Sequence, residues 1–315
     1  MKKQITSHIM MVRPVQFRYN AETAVNNYYQ KVLEGLTPEK ANEAAQNEFD
    51  AFVEKLRSEG INVYVFQDDA FPDTPDSIFP NNWVSFHEDG RIALYPMYAE
   101  NRRKERREEM FEILADDFGF EVKELEDFTT FEDENLFLEG TGSMILDREN
   151  NLVYAALSDR TDMSVLETFC ERFDYHGIAF SAFQTIGEQR LPIYHTNVMM
   201  CLGSNFSVIC LHAIDDQVER KRVQDSLKKT GKKIIEITEE QKEHFSGNML
   251  NVANGKDEEY CVMSSAAYHS LRPDQIAAIE KHAKILHSSL DTIEALGGGS
   301  ARCMMAEIFL PKSKQ

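Results

Sequence analysis

Residues 297–305 read Gly-Gly-Gly-Ser-Ala-Arg-Cys-Met-Met, and this stretch is the most informative in the chain. Three glycines allow the backbone to approach a ligand closely, and Cys303 follows them after three further residues. The pattern predicts a loop that presents a cysteine nucleophile. The alternative is that Cys303 is a small core residue and that the glycines form a flexible turn. A phosphate-binding loop is not indicated, because the stretch lacks the G-x-x-x-x-G-K-[ST] pattern.

A cysteine attacks as its thiolate, so a nucleophile at Cys303 needs a base or an imidazolium nearby. His195 is the best candidate, because it lies at the start of a predicted strand, and the end of a strand would project its side chain into a cleft. Glu139 ends an apolar run, and Gly140 and Gly142 behind it leave room for a substrate to pack close. Both residues also have structural alternatives, His195 as an ordinary polar side chain and Glu139 as a turn residue.

The composition predicts a globular protein that stays in the cytoplasm. With 315 residues, 42% of them hydrophobic, the chain can bury a large core. The formal net charge of -19 argues against a nucleic-acid partner, since binding phosphates requires an excess of cations. The sequence shows no signal-peptide pattern and no apolar run long enough to span a membrane. We therefore expect no membrane partner, and the sequence leaves the oligomeric state open.

The cysteines and histidines indicate neither disulfides nor a metal site. Five cysteines are an odd number without close C-x-x-C spacing, which fits neither a disulfide framework nor structural zinc. The nine histidines are scattered and lack the H-E-x-x-H pattern. We therefore expect no metal and no cofactor.

Segments typical of strands and helices alternate along the whole chain, which predicts one α/β domain over residues 1–315. The clearest helix has Thr37 as its N-cap and Pro38 in its first position, and it ends at Gly60. Further helices are predicted over residues 102–116, 163–173, 216–230 and 273–282. Strands are predicted over residues 6–15, 63–66, 92–95, 144–147, 153–157, 198–202, 208–211, 234–237 and 260–263.

Residues 100–109 form a run of charges of both signs, Glu-Asn-Arg-Arg-Lys-Glu-Arg-Arg-Glu-Glu. Opposite charges recur at the i,i+3 and i,i+4 spacings of a helix surface. The run is typical of a solvated helix face rather than of a basic binding arm, so we expect these side chains to face solvent.

Six segments spread over most of the chain form an ordered pattern: Phe79-Pro80-Asn81-Asn82-Trp83, Leu138-Glu139-Gly140, Leu157-Ser158-Asp159-Arg160-Thr161, His195-Thr196-Asn197, Gly247-Asn248-Met249-Leu250 and Gly298-Gly299-Ser300-Ala301-Arg302-Cys303-Met304. In this order they resemble the pentein superfamily of guanidine-modifying enzymes, which includes arginine deiminases, dimethylarginine hydrolases, succinylarginine dihydrolases and amidinotransferases. Together with Met11-Val12-Arg13-Pro14, the pattern is most similar to the amidinotransferase branch that includes citrulline-utilisation hydrolases.

The resemblance implies a fold and three catalytic roles. The fold is a five-bladed α/β propeller of repeated ββαβ units around a central active site. Cys303 would be the nucleophile and His195 the general acid and base. Glu139 would be the carboxylate that orients His195 and holds a nitrogen of the substrate.

The resemblance further implies five residues that bind an amino-acid substrate, namely Asn82, Asn197, Arg160, Phe79 and Asn20. Arg160 would clamp the substrate's α-carboxylate with its planar fork of donors, or else form a surface salt bridge. Phe79 would stack on the flat reacting group, or else be an ordinary core residue. Asn20 would reach the amino-acid end of the substrate.

Two amides depart from the deiminase pattern in a way that concerns the substrate. Asn82 and Asn197 occupy positions where deiminases carry aspartates, so fewer anions are expected to face the substrate. A guanidinium has only donors and suits carboxylates, whereas a neutral ureido group has a carbonyl acceptor beside its N–H donors. An asparagine amide serves both kinds of group. The pattern therefore favours citrulline over arginine, although succinylarginine dihydrolases resemble the same asparagine pattern.

The resulting hypothesis is a hydrolase that converts citrulline to ornithine with release of ammonia and carbon dioxide. Cys303 would attack the ureido carbon while His195 protonates the departing ammonia, and water activated by His195 would then release the product as a carbamate. One alternative is a guanidino-group hydrolase or amidinotransferase of the arginine deiminase, dimethylarginine or succinylarginine hydrolase type. A second alternative is a non-catalytic propeller that only binds a partner.

Overall fold

Strands and helices alternate along the protein, as predicted. The computed structural model describes residues 2–313. Within them the strands are β1 (His8–Arg13), β2 (Asn62–Gln67), β3 (Val84–Phe86), β4 (Arg91–Leu94), β5 (Glu124–Asp127), β6 (Met144–Asp147), β7 (Leu152–Leu157), β8 (His176–Ser181), β9 (Phe183–Ile186), β10 (Gln189–Pro192), β11 (Met200–Leu202), β12 (Phe206–Ile209), β13 (Lys233–Glu236), β14 (Leu250–Ala253), β15 (Glu259–Ser264), β16 (Lys284–Ser288) and β17 (Ala306–Glu307). The α-helices are α1 (Ala21–Ala24), α2 (Pro38–Ser58), α3 (Glu100–Arg103), α4 (Glu109–Asp116), α5 (Gly140–Ser143), α6 (Met163–Phe173), α7 (Gln217–Lys229), α8 (Glu239–Glu243), α9 (Ser265–Ser270), α10 (Pro273–Glu280) and α11 (Asp291–Gly297).

Most of the described strands belong to three-stranded sheets of one kind. Four sheets follow chain order, β3-β4-β5, β6-β7-β8, β11-β12-β13 and β14-β15-β16. In each, the first pair of strands is antiparallel and the second pair is parallel, with at least one helix in the parallel connection. Each sheet is therefore a ββαβ unit.

A fifth sheet joins the two ends of the described chain. Its strand order is β17-β1-β2, in which β1 is antiparallel to β17 and parallel to β2. The first strands of the sheets also lie against one another, because β6 contacts β11, β11 contacts β14 and β17 contacts β3. The segments that lead into these first strands are consequently brought near each other.

Helix α2 shows why the sequence pattern was informative. The side chain of Thr37 accepts a hydrogen bond from the backbone N–H of Lys40, and Pro38 occupies the first helical position. The apolar residues of the helix recur at helical spacing and are buried: Ala41, Ala45, Phe49, Phe52, Val53 and Leu56. They pack in one hydrophobic cluster with Cys303, so the core supports the predicted nucleophile loop from behind.

The charged run over residues 100–109 differs from its prediction in two ways. The helix expected over residues 102–116 is two helices, α3 and α4. The predicted solvated face is wrong for Arg102 and Glu105, which are only 2% and 3% exposed. The carboxylate of Glu105 accepts hydrogen bonds of 2.9 Å from both Nε and Nη2 of Arg102. Because each charge has its partner, the pair tolerates burial that an isolated charge would not.

The other predicted elements recur with small shifts of their ends, and several short strands were missed, among them the hairpin of β9 and β10. None of the helices within residues 2–313 combines the length and the apolar character that crossing a bilayer requires.

Candidate active site

Five polar residues reach the candidate site from equivalent places in the fold. Each lies in the short segment that precedes the first strand of a sheet: Asn82 before β3, Glu139 before β6, His195 before β11, Asn248 before β14 and Cys303 before β17. Because these first strands lie side by side, residues that are far apart in sequence meet in one place. The repeated ββαβ unit thus positions the site.

Glu139 and His195 form a buried hydrogen-bonded pair. The Nε2 atom of His195 lies 2.7 Å from Oε2 of Glu139. Gly142 makes this approach feasible, because a Cβ atom there would lie 2.8 Å from Nδ1 of His195 and 2.4 Å from Nδ2 of Asn82. The glycine behind Glu139 therefore makes room for the imidazole and an amide, whereas the sequence suggested room for a substrate.

Two arginines keep Glu139 ionised. Oε2 of Glu139 lies 3.5 Å from Nη1 of Arg160 and 3.9 Å from Nη1 of Arg102, and Oε1 accepts a hydrogen bond of 3.0 Å from the backbone N–H of Tyr98. Burial alone would raise the pKa of Glu139, but Arg160, His195 and Arg102 together hold it well below its ordinary value. Glu139 is therefore an anion that can only accept hydrogen bonds.

His195 is neutral at neutral pH. Burial lowers its pKa to about 4, although the hydrogen bond to Glu139 acts in the opposite direction. Since ionised Glu139 only accepts, the proton of the neutral ring must be on Nε2. The Nδ1 atom is then free to act as a base.

This buried pair should make the fold sensitive to acid. The pKa of His195 lies near 4 in the folded protein, against an ordinary value of 6.5. Between these two pH values the unfolded chain binds a proton that the folded chain does not. Stability therefore falls as the pH falls through this range. His195→Gln keeps a donor to Glu139 but cannot titrate. When the pH falls from about 7 to about 5, the free energy of unfolding should decrease in both proteins. We expect the decrease to be roughly 1–2 kcal/mol smaller in the variant than in the wild type. Urea unfolding at both pH values measures this, and parallel losses in the two proteins would contradict it.

The sulfur of Cys303 faces two amide donors. Its Sγ atom lies 3.2 Å from Nδ2 of Asn248 and 3.4 Å from Nδ2 of Asn197. Such donors suit a sulfur that attacks as an anion. The loop that carries Cys303 begins at Gly298, the residue after α11, whose φ of 62° lies in the left-handed region that glycine adopts without strain. Asn248 was not singled out from the sequence, although its segment contributed to the family resemblance.

Cys303 and His195 line one small pocket together with Asn82, Phe79 and Arg160. All five were predicted from the sequence. The ring of Phe79 packs against the backbone of the glycine loop that leads to Cys303. The free volume of the pocket is only about 10 Å³, roughly the space of one water molecule, so an amino acid can enter only if the walls move.

Three predicted residues lie outside the lining, namely Glu139, which stands behind His195, Asn197 and Asn20. Asn197 touches the sulfur of Cys303, and its Oδ1 atom is buried without a hydrogen-bond partner among the described residues. Asn20 caps α1 and donates a hydrogen bond of 2.7 Å to Oδ2 of Asp76. It therefore stands behind the pocket and supports Asp76, which does line it.

Asp76 and Arg102 line the pocket and were missed from the sequence. Asp76 lies three residues before Phe79, and its Oδ1 atom has no hydrogen-bond partner within residues 2–313. Burial raises the pKa of Asp76, while Arg102, Asn20 and Thr23 act against that rise. The expected loss of anions at Asn82 and Asn197 is thus partly offset by a carboxylate from another position.

Arg160 is fully buried, so the surface salt bridge considered as its alternative is excluded. Its Nε and Nη2 atoms donate to Oδ1 of Asn26, Nη2 also donates to the backbone carbonyl of Thr23, and the guanidinium lies 5.0 Å from the ring centre of Tyr194. These contacts fix the orientation of the guanidinium, with Nη1 directed towards Glu139.

A model of the eukaryotic N,N-dimethylarginine dimethylhydrolase family matches residues 13–310. The chain belongs to this family. Membership confirms the predicted place in the pentein superfamily, and the family is one of hydrolases, in agreement with the predicted class of enzyme. A search of curated proteins finds no significant match to this chain.

Solved structures show the same fold at low sequence identity. ArgZ, an arginine dihydrolase from the ornithine-ammonia cycle in cyanobacteria, is 18% identical over 97% of this chain, with a TM-score of 0.72. AgrE, in a ternary complex with ornithine and NAD+, is 18% identical over 98% of this chain, with a TM-score of 0.70. This chain spans only 41% of that ArgZ chain and 40% of that AgrE chain.

A dimethylarginine dimethylaminohydrolase, solved as an adduct with S-methyl-L-thiocitrulline, matches over its whole length. It is 15% identical over 98% of this chain and 100% of its own, with a TM-score of 0.62. These likenesses confirm a mixed α/β fold of the pentein kind.

Proposed function

We propose that the protein is a hydrolase that uses Cys303 to attack the planar carbon of a ureido or guanidino amino acid. The observation that carries the proposal is the meeting of Cys303 and His195 in one pocket, with Glu139 bonded to the far side of the imidazole. A nucleophile, a base and a carboxylate that orients the base are the parts that covalent hydrolysis requires. A partner-binding propeller without catalysis would not need this set.

The charged side chains at the pocket suit the two charged groups of an amino acid. Arg102 and Arg160 are both buried at the lining. The Nε and Nη2 donors of each are bonded within the protein, so each would meet a carboxylate with its charge and its Nη1 group. Asp76 offers an unpartnered oxygen to an ammonium group. We assign the α-carboxylate to the two arginines and the α-amino group to Asp76, with Asn20 holding Asp76 in place.

The first half of the reaction begins with the transfer of the Cys303 proton to Nδ1 of His195. The thiolate, held by Asn248 and Asn197, forms a bond to the reacting carbon, and His195 passes the proton to the departing ammonia. In the second half, neutral His195 takes a proton from water, which attacks the thiocarbamate carbon while Cys303 leaves. A carbamate formed from citrulline then splits into ornithine and carbon dioxide.

Citrulline remains our first candidate substrate. The Oδ1 atom of Asn197, buried beside the sulfur and unpartnered among the described residues, is a neutral acceptor for the N–H groups of a ureido unit. Asn82 has a different role from the one expected. Its Oδ1 atom accepts a hydrogen bond from Arg102, and its Nδ2 atom donates one to Asn81. It holds the carboxylate clamp rather than the reacting group.

Arginine is the second candidate. Asp76 and Glu139 remain as carboxylates at the site, and the family is named for a methylated arginine. A guanidinium could lie between such anions in charge-assisted hydrogen bonds.

An end-point assay separates the two candidates. Incubation with citrulline should give ornithine and ammonia in equal amounts, and Cys303→Ala should give neither. Products from arginine alone would overturn the ureido assignment and leave the hydrolase proposal in place. No product from citrulline, arginine or methylated arginines would contradict the hydrolase proposal itself.

We further infer that the five sheets are the blades of a five-bladed propeller that forms one domain over residues 1–315. The support is the repeated ββαβ unit and the contacts between successive first strands. The cytoplasmic location stays a prediction from the sequence.

A further inference from the structure

A second and larger cavity lies beside the nucleophile loop. Its volume is about 410 Å³, within the range of small-molecule sites, and none of its lining residues lines the catalytic pocket. Its walls come from the segment around Tyr29, the hairpin of β9 and β10, the chain that follows α8, and α11. The last of these walls is the helix that leads directly to the loop of Cys303.

A buried lysine lies behind the wall of this cavity, in contact with two residues that line it. Lys242 is fully buried, donates to the hydroxyl of Tyr29 at 2.8 Å and to Oε1 of Gln184 at 3.5 Å, and has no carboxylate oxygen within 4.0 Å among the described residues. Gln184 lines the cavity and is 2% exposed, and its Nε2 atom has no hydrogen-bond partner within residues 2–313. A buried cation without a counter-ion and a buried donor without an acceptor are both costly, and both would be satisfied by a carboxylate.

The lining of the cavity also includes acidic and apolar side chains. Glu294, Asp291 and Glu243 line it, and Glu294 is buried. Phe245 and Ile186 add apolar surface. An ammonium group would find carboxylates here, and a hydrocarbon side chain would find Phe245 and Ile186.

Glu294 connects this cavity to the catalytic loop. Its Oε1 atom accepts a hydrogen bond of 2.5 Å from Oγ of Ser300, and the backbone carbonyl of Ser300 accepts from the N–H of Cys303 at 3.0 Å. Burial raises the pKa of Glu294 to about 7, with Ser264 and Ser300 acting against the rise and Asp291 and Glu48 adding to it. An ammonium group nearby would favour the ionised form and so strengthen the bond from Ser300.

We propose that this cavity binds a small α-amino acid with an apolar side chain, and that its occupancy tightens the loop of Cys303. The carboxylate of the ligand lies at Nε2 of Gln184, with Lys242 behind that wall, its ammonium group lies at Glu294, and its side chain lies against Phe245. The effect on the loop rests on the proposed function of Cys303, whereas the binding itself does not.

Calorimetric titration of the whole chain with L-leucine tests the binding. We expect saturable binding of one molecule per chain, and none of N-acetyl-L-leucine or of 3-methylbutylamine, each of which lacks one charged group. Gln184→Glu places a carboxylate beside Lys242 and should weaken binding at least about tenfold while the protein stays folded. Cys303→Ala, which changes the catalytic pocket and keeps the fold, should bind L-leucine as the wild type does. Absence of binding, or binding lost in Cys303→Ala but kept in Gln184→Glu, would overturn the site.

The rate at which iodoacetamide alkylates Cys303 tests the coupling. Cys303 is buried, so alkylation requires its loop to open, and a tightened loop opens less often. Saturating L-leucine should slow alkylation several-fold in the wild type and leave Gln184→Glu unchanged. An unchanged rate in leucine-bound wild type would overturn the coupling. Because this readout needs no turnover, its result is independent of whether citrulline or arginine is hydrolysed.

Discussion

Replacing Cys303 with alanine should abolish turnover and leave the fold intact. The sulfur lies at the catalytic pocket and forms the covalent bond in the proposed reaction, so no other group can replace it. Removal of a nucleophile from a comparable catalytic set costs at least about four orders of magnitude in kcat. The side chain is small, and the free energy of unfolding should change by less than about 1.5 kcal/mol. Steady-state ammonia release and urea unfolding measure the two effects.

Cys261→Ala is the matched control for this experiment. Cys261 is fully buried, and its Sγ atom packs 3.7 Å from Sδ of Met249 in the core. Its replacement should cost roughly 1–2 kcal/mol of stability and leave kcat unchanged. If Cys303→Ala instead behaved like this control, with activity kept and stability lost, Cys303 would be a core residue, as its alternative interpretation has it.

Glu139→Gln should lower both activity and stability. The amide can still accept from the N–H of Tyr98, but it no longer offers an anion to His195, Arg160 and Arg102. An amide can present its NH2 group to Nε2 of His195 and so stabilise the wrong tautomer, an effect that costs about 10⁴ in kcat in a serine protease. Two buried guanidinium groups lose a partner, which should cost roughly 3–5 kcal/mol.

Asp50→Asn is the control for an ordinary ion pair. Asp50 pairs with Arg13 at 2.7 Å on the surface, so its loss should cost less than about 1 kcal/mol and leave kcat unchanged. Alkylation of Cys303 by iodoacetamide in folded Glu139→Gln would show that the pocket persists. Activity within about tenfold of the wild type would rule out the orienting role of Glu139.

The proposed catalytic set was predicted from six ordered segments that together resemble one superfamily, because each member taken alone also had an ordinary structural interpretation. Glycines mark the loop of Cys303 and the segment of Glu139, and His195 precedes a strand. Other residues at the pocket were harder to predict from the sequence. Asp76 carries no local signal, Arg102 lies within a run that looks like a solvated helix face, and Asn248 shares its segment with no other polar side chain at the site.

By itself the sequence determined the alternation of strands and helices and the start of α2, because periodicity and caps act over a few neighbouring positions, and its ordered segments indicated the candidate catalytic residues. Only the tertiary structure decided which charges are buried together. Arg102 leaves solvent because Glu105, Asn82 and the carboxylate of Glu139 surround it. Burial of a charge depends on partners brought close by the whole fold, and spacing along the chain does not reveal them.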